Sequence, residues 1–122
     1  MEFREKGSIY AQIAHYVCDQ ILLKKWKADQ KIPSIREFAS TMQVNGITVQ
    51  RAYDHLLHLG VITNKRGIGY FVETDAEGKV LVLRRAQFME HDLPAFLKNL
   101  RLLKIDLDEI KAYSEAGEND TL

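Results

Sequence analysis

The chain has 122 residues, 46% of them apolar, with two prolines and one cysteine, and its seventeen basic residues balance seventeen acidic ones. This composition excludes a mainly disordered polymer and a disulfide-stapled scaffold, and the shortness of its apolar runs excludes a transmembrane helix. Zero net charge excludes a uniformly basic nucleic-acid binder, so any such role must rest on how the charge is distributed. The length suits one ordinary domain or a small domain with an appendage. The leading MEFREKGS mixes acids and bases around no apolar stretch, unlike a secretory signal, so the expected compartment is the cytoplasm, with no membrane partner.

In chain order, the first pattern is a helix over residues 8–25. Ser8 is its N-cap, Ile9, Ile13, Val17 and Ile21 repeat every four residues, and Lys24 and Lys25 close it where the helix dipole favours cations. Cys18 falls among apolar neighbours and reads as ordinary packing. Trp26 reads as the anchor of the following loop rather than as a ligand-stacking residue.

Residues 32–53 read as a helix-turn-helix. Ser34 and Glu37 have capping-box spacing, and Ile35, Phe38, Ala39 and Met42 then share one helical face. After a polar turn from Gln43 to Gly46, Asn45 caps a second helix whose inner face is Val49, Ala52, Tyr53 and Leu56. Its polar stripe is Thr48, Arg51, His55 and His58. Because only the first turns of a recognition helix reach base edges, the candidates are Ile47, Thr48, Gln50 and Arg51. Gln pairs with adenine at two points, Arg with guanine, and an Ile methyl packs on the thymine methyl. A solvated helix face would show the same stripe.

Residues 61–73 change period. VIT and YFV are β-rich triplets around a polar loop, so a hairpin is expected, and Gly60 ends the preceding helix. Its tip carries Lys65 and Arg66 beside Gly67 and Gly69, a basic loop whose backbone can approach phosphates closely. After a helix-turn-helix, such a hairpin is a wing.

The ordered set IYAQIA (9–14), IPSIREFA (32–39), TVQRAYDHL (48–56), GVI (60–62) and RGIGYFV (66–72) resembles the winged-helix DNA-binding domain of the GntR family of bacterial transcription regulators. The resemblance covers about half the chain. It implies a phosphate or base contact from Arg36, with Ser34 in the same segment, readout from Thr48, Gln50 and Arg51, and wing contacts from Arg66, Gly67 and Gly69. The chain departs from the family pattern at Gly46 and Ile47, where polar or arginine residues are frequent. It departs also at Ala28-Asp29, where Pro-Gly is usual, and at Ile68, where a wing arginine is frequent.

Residues 76–122 form an appendage. Val82, Ala86, Met89, Leu93, Phe96, Leu100 and Leu103 advance in alternating steps of four and three, a heptad seam. Pro94 interrupts it, with Asp92 as a new N-cap, so one kinked helix or two helices parted near His91 are expected. A last helix starts at Asp106, with Glu109 at capping-box spacing and Ile105 and Ile110 as a hydrophobic staple; the closing EAGENDTL is expected to fray. So short a segment has too few walls for a sizeable ligand pocket, and its seam requires a partner, of which a second copy is the simplest. The short appendage is also similar to that of the YtrA-type subfamily, which implies a homodimer and a site of action for an effector of unknown identity.

Charge is segregated. Residues 31–72 hold five basic against two acidic residues, while residues 105–122 hold one against six. The expected fold is α+β, mainly α, with a winged helix-turn-helix of three helices and a β-hairpin over 1–75 and a helical dimerisation appendage over 76–122. The expected function is a homodimeric, sequence-specific regulator, a repressor, that binds a palindromic double-stranded operator. The competing reading is a winged helix that serves as a protein-interaction module without specific DNA readout. No nucleophile–base pair, phosphate-binding glycine loop or metal-ligand spacing is present, so neither an enzyme nor a cofactor is expected.

Overall fold

The computed structural model describes residues 7–117. The expectations for the first six residues and for 118–122 lie outside this range. Two compact units divide the chain, Met1–Val82 and Leu83–Leu122.

The first unit opens with α1, Ile9–Leu22, capped by the Ser8 hydroxyl, which accepts from the Ala11 N–H. This helix stops short of the sequence expectation. Lys24 turns left-handed at φ 61°, its N–H donates to the Ile21 carbonyl, and the Lys25 N–H donates to the Gln20 carbonyl. Those paired bonds form a Schellman ending with lysine in the position glycine usually fills. Lys24 and Lys25 therefore stand beyond the helix and not in its last turn.

Helix α2, Ile35–Met42, has the complete capping box: Glu37 N–H donates to Ser34 Oγ at 3.0 Å, and Ser34 N–H donates to Glu37 Oε1 at 2.9 Å. The Ser34 N–H first, and the Ser34 hydroxyl second, hold the Glu37 carboxyl below its ordinary pKa. Gln43 ends the helix in the left-handed region. Helix α3, Gly46–His58, is capped by Asn45 Oδ1, which accepts from the Ile47 N–H at 2.8 Å. It ends before Gly60, whose φ of +73° supplies the turn into the wing.

Strands β1, Ile62–Lys65, and β2, Gly69–Val72, pair antiparallel with Ile62 opposite Val72 and Lys65 opposite Gly69. The segment before α2 adds a partial third strand: Asp29 N–H donates to the Val72 carbonyl, Val72 N–H to Gln30, and Ile32 N–H to Tyr70.

One apolar core joins these pieces. Ile13, Val17 and Ile21 from α1, Phe38 from α2, and Val49, Ala52, Tyr53 and Leu56 from α3 are buried with Val61, Ile62 and Val72 of the wing. Edge-to-face rings run through it from Trp26 to Tyr16, Phe38, Tyr53 and Tyr70. Trp26 is thus a packed anchor, as its position suggested, and Cys18 lies within the core. Burial pushes the Tyr53 phenol well above its usual pKa, and its hydroxyl donates to the Pro33 carbonyl at 2.7 Å. That bond ties α3 to the entry of α2. The core does not end with the wing. Helix α4, Ala76–Gln87, sends Ala76 and Val80 into it.

Within the second unit, α4 runs into a π-helical turn, Phe88–Asp92, followed by α5, Leu93–Leu103, and α6, Leu107–Ala116. The expected kink or break at Pro94 is replaced by this widened turn. Proline has no N–H and its ring clashes with the carbonyl four residues back in an α-helix; the i→i+5 turn, in which Leu93 N–H donates to the Phe88 carbonyl, opens that space. Asp92 keeps helical angles and makes no side-chain cap, contrary to expectation. The extra residue sets the downstream helix back by about one residue's rotation, roughly 100°. Apolar positions on either side of the turn are therefore out of phase with a straight heptad. Asp106 caps α6 by accepting from the Glu109 N–H at 3.0 Å.

Candidate nucleic-acid interface

Helix α3 rotates by about 100° per residue, so with Val49, Ala52, Tyr53 and Leu56 fixed in the core its other arc must face outward. The centre of that arc is Ile47, 81% exposed at the start of the helix. Gln50 and Arg51 are exposed on either side of it, and Thr48 is half-buried at the margin. The four candidates are thus brought onto the first two turns. They are not equally free: Gln50 Nε2 donates to Asp54 Oδ1 at 3.0 Å, one turn along. The Arg51 guanidinium lies over the Tyr10 ring of α1, with Cζ 4.0 Å from the ring centre. His55 meets the same ring edge-on.

At the start of α2, Arg36 is exposed, whereas Ser34 is half-buried and its oxygen accepts the capping bond. Arg36 thus stands exposed on the first turn of α2, beside a capping box that uses the Ser34 and Glu37 N–H groups.

In the wing, Lys65 is the last residue of β1 rather than part of the loop, and its ammonium sits 4.3 Å from the centre of the Phe71 ring. The loop is Arg66, Gly67 and Ile68, closed by the Ile68 N–H donating to the Lys65 carbonyl at 2.8 Å. Gly67 has φ +79°, as the third residue of a type II turn requires, and the space beside it is open. Gly69 has φ +144°, where a side chain is strained, and the Lys31 side-chain end lies against it, with Cε 2.9 Å from where a Cβ would stand. Arg66 and Ile68 are exposed at the tip.

Sequence reasoning missed the residues that hold these groups. The Gln50–Asp54 bond has i,i+4 spacing and was available from the helix register. The Tyr10–Arg51 and Lys65–Phe71 contacts join distant or cross-strand positions and left no local signal. Among the described residues, no group of three or more His, Cys, Asp or Glu is placed to hold a metal ion, and no helix is long and apolar enough to cross a membrane.

Of the heptad positions, Leu100 is buried at 8% exposure, Leu93 is half-buried, and Val82, Met89, Phe96 and Leu103 are exposed. Leu102, Leu107 and Tyr113 are also exposed in the second unit.

Residues 9–72 match the bacterial regulatory proteins of the gntR family. The chain is 30% identical over 120 residues to the HTH-type transcriptional regulator YhcF of Bacillus subtilis, covering 95% of this chain and 98% of that one. It is 29% identical to the HTH-type transcriptional repressor YtrA of the same organism, covering 96% and 95%. A GntR-family regulator from Bacteroides thetaiotaomicron superposes with a TM-score of 0.72 at 40% identity, covering 93% of this chain and all of that one. The DNA-binding domain of AraR, solved with its operator ORR3, has a TM-score of 0.50 at 26% identity and covers 59% of this chain and 92% of that one. These relatives are regulators, not enzymes, and the chain belongs to the GntR family of bacterial transcription regulators, with a winged-helix DNA-binding domain.

Proposed function

We propose that this regulator is a cytoplasmic homodimeric repressor that binds a palindromic operator. The observation that carries the reading is the start of α3, where Ile47, Gln50 and Arg51 stand outward on a helix whose inner face is fully buried. A rigid helix that presents an adenine-pairing amide, a guanine-pairing guanidinium and an apolar methyl group has the chemistry of major-groove readout. Arg36, Arg66 and Lys65 then supply phosphate contacts around it, with Ser34, Gly67 and Gly69 shaping the backbone that approaches. AraR, solved on its operator, supports the DNA partner, and the repressor YtrA supports the sign of regulation.

Dimerisation through the C-terminal unit is supported by its size and surface. Leu83–Leu122 is at the length where a chain needs a disulfide, a metal or a second copy to hold its fold, and Cys18 lies elsewhere. With the π turn shifting the phase of the seam and Leu100 already buried, the exposed Val82, Met89, Phe96 and Leu103 and the half-buried Leu93 would be covered by a second copy, with an effector of unknown identity acting through the same unit. Two recognition helices would then enter successive major grooves.

Selection of bound sequences from a random duplex pool tests this. A palindrome is the expected product, with affinity falling steeply as salt rises. Arg51→Ala should weaken binding to the selected duplex by about 1–3 kcal/mol and relax preference at one base position. Enrichment of nothing, together with no salt dependence, would favour the protein-interaction reading instead.

A further inference from the structure

We infer that Tyr10 is a positioning residue for base readout, holding the Arg51 guanidinium outward from the recognition helix in the conformation that docks on DNA. This rests on the DNA-reading role proposed above for α3.

Tyr10 is the second residue of α1, half-buried and packed against the core, so its ring is fixed to the scaffold rather than to the recognition helix. Arg51 and His55 are one turn apart on α3 and clasp that ring. The Arg51 Cζ lies 4.0 Å from its centre, and the His55 ring stands edge-on at 6.3 Å and 83°. A guanidinium stacked on a ring uses its face, and its N–H groups lie in its plane. The stack therefore leaves the fork free for the two-point contact that guanine accepts.

The competing partner is close. Asp54 follows Arg51 by three residues on the same helix, the spacing at which Arg and Asp pair. Such a pair would fold the guanidinium back and neutralise it. The tyrosine stack opposes this on one side, and Gln50 occupies Asp54 Oδ1 on the other. Among the described residues no carboxylate pairs with Arg51. An arginine held this way also loses less rotamer freedom on docking than a free one, so the gain appears at the base it reads and not along the backbone.

The test uses the full chain, a duplex selected by the wild type, and the same duplex carrying single base-pair changes. Tyr10→Phe keeps the ring and should keep wild-type selectivity. Tyr10→Leu should lower selectivity at one position by about three- to tenfold, with affinity for a scrambled duplex and the salt slope unchanged. In an Arg51→Ala background the same change should add nothing. Equal weakening on every duplex, additive losses in the double variant, or unchanged selectivity in Tyr10→Leu would overturn the inference. The ring-current shift of the Arg51 side chain in NMR spectra gives a readout on the folded wild type alone. Its absence would equally sink the stack, even if Tyr10→Leu proved too unstable to assay. A wild type without sequence preference would remove the DNA-reading role itself; a selective wild type indifferent to Tyr10 would remove only this inference.

Discussion

The two units of the chain solve the burial problem differently. In Met1–Val82 every element sends its apolar face to one interior, and the rings of Phe38 and Tyr53 are fully enclosed. In Leu83–Leu122 only Leu100 among the described residues is buried, while Phe88, Met89, Phe96, Leu102, Leu103, Leu107 and Tyr113 remain exposed. Sound helices alone do not make a stable unit. Helix α6 has its Asp106 cap and α5 runs on from the π turn without one, yet in both cases most of the stability of a protein helix comes from packing its apolar face. The first unit holds the outer face of α3 on a closed core of its own, and the second exposes the kind of surface that an association would cover.

The sharpest way to break this contrast is to remove one ring from each unit. Phe38→Ala should cost about 3–5 kcal/mol in chemical denaturation, whereas Tyr113→Ala, at a site 79% exposed, should stay within about 0.5 kcal/mol. A large loss at Tyr113 would show that its face is covered in solution. Next in size, Phe96→Asp should convert a dimer to monomers in light scattering and leave the far-UV spectrum and cooperative unfolding of the winged helix intact. A variant that stays dimeric would move the interface away from the seam.

Smaller effects probe how the reading surface is built. Ser34→Ala should destabilise the first unit by about 1 kcal/mol through loss of the N-cap. Its partner Glu37 adds a pH signature. Because the folded carboxyl titrates below its ordinary value of 4.5, the bond contributes above that pH and is lost as pH falls through the folded value. Wild-type stability should therefore drop more steeply on acidification than that of Glu37→Gln, and parallel curves would contradict the capping assignment. Smallest of all, Lys24→Gly should stabilise by a few tenths of a kcal/mol up to about 1, because the left-handed turn ending α1 strains any residue with a Cβ. A loss there would mean that the lysine side chain contributes more than its backbone costs.

Most of the winged helix was legible because its signals are local. Ser34 with Glu37, Asn45 before α3, Gly60 after it, and the inner faces of α2 and α3 are patterns within a few residues. The alternation from helix to hairpin period marked the wing, and the ordered segments identified the family. One boundary failed where a residue was asked to do what another type usually does: Lys24 takes the left-handed end of α1 without glycine, so no letter announced it, whereas α2 ends before Gln43 where the polar turn was expected. Pro94 announced a disturbance but not its form, since a kink, a break and a π turn all relieve the same clash.

By itself, then, the sequence determined where the helix-turn-helix and the wing lie, which faces of α2 and α3 go inward, and where α3 starts. Only tertiary structure decided that Ala76 and Val80 complete the first core, and that the Lys31 side chain lies against Gly69. It alone decided that Arg51 rests on Tyr10, forty-one positions earlier in the chain. The reason is physical: caps and periodicity act between neighbours along the chain, whereas stacking and close approach act between residues that only the closed core brings together.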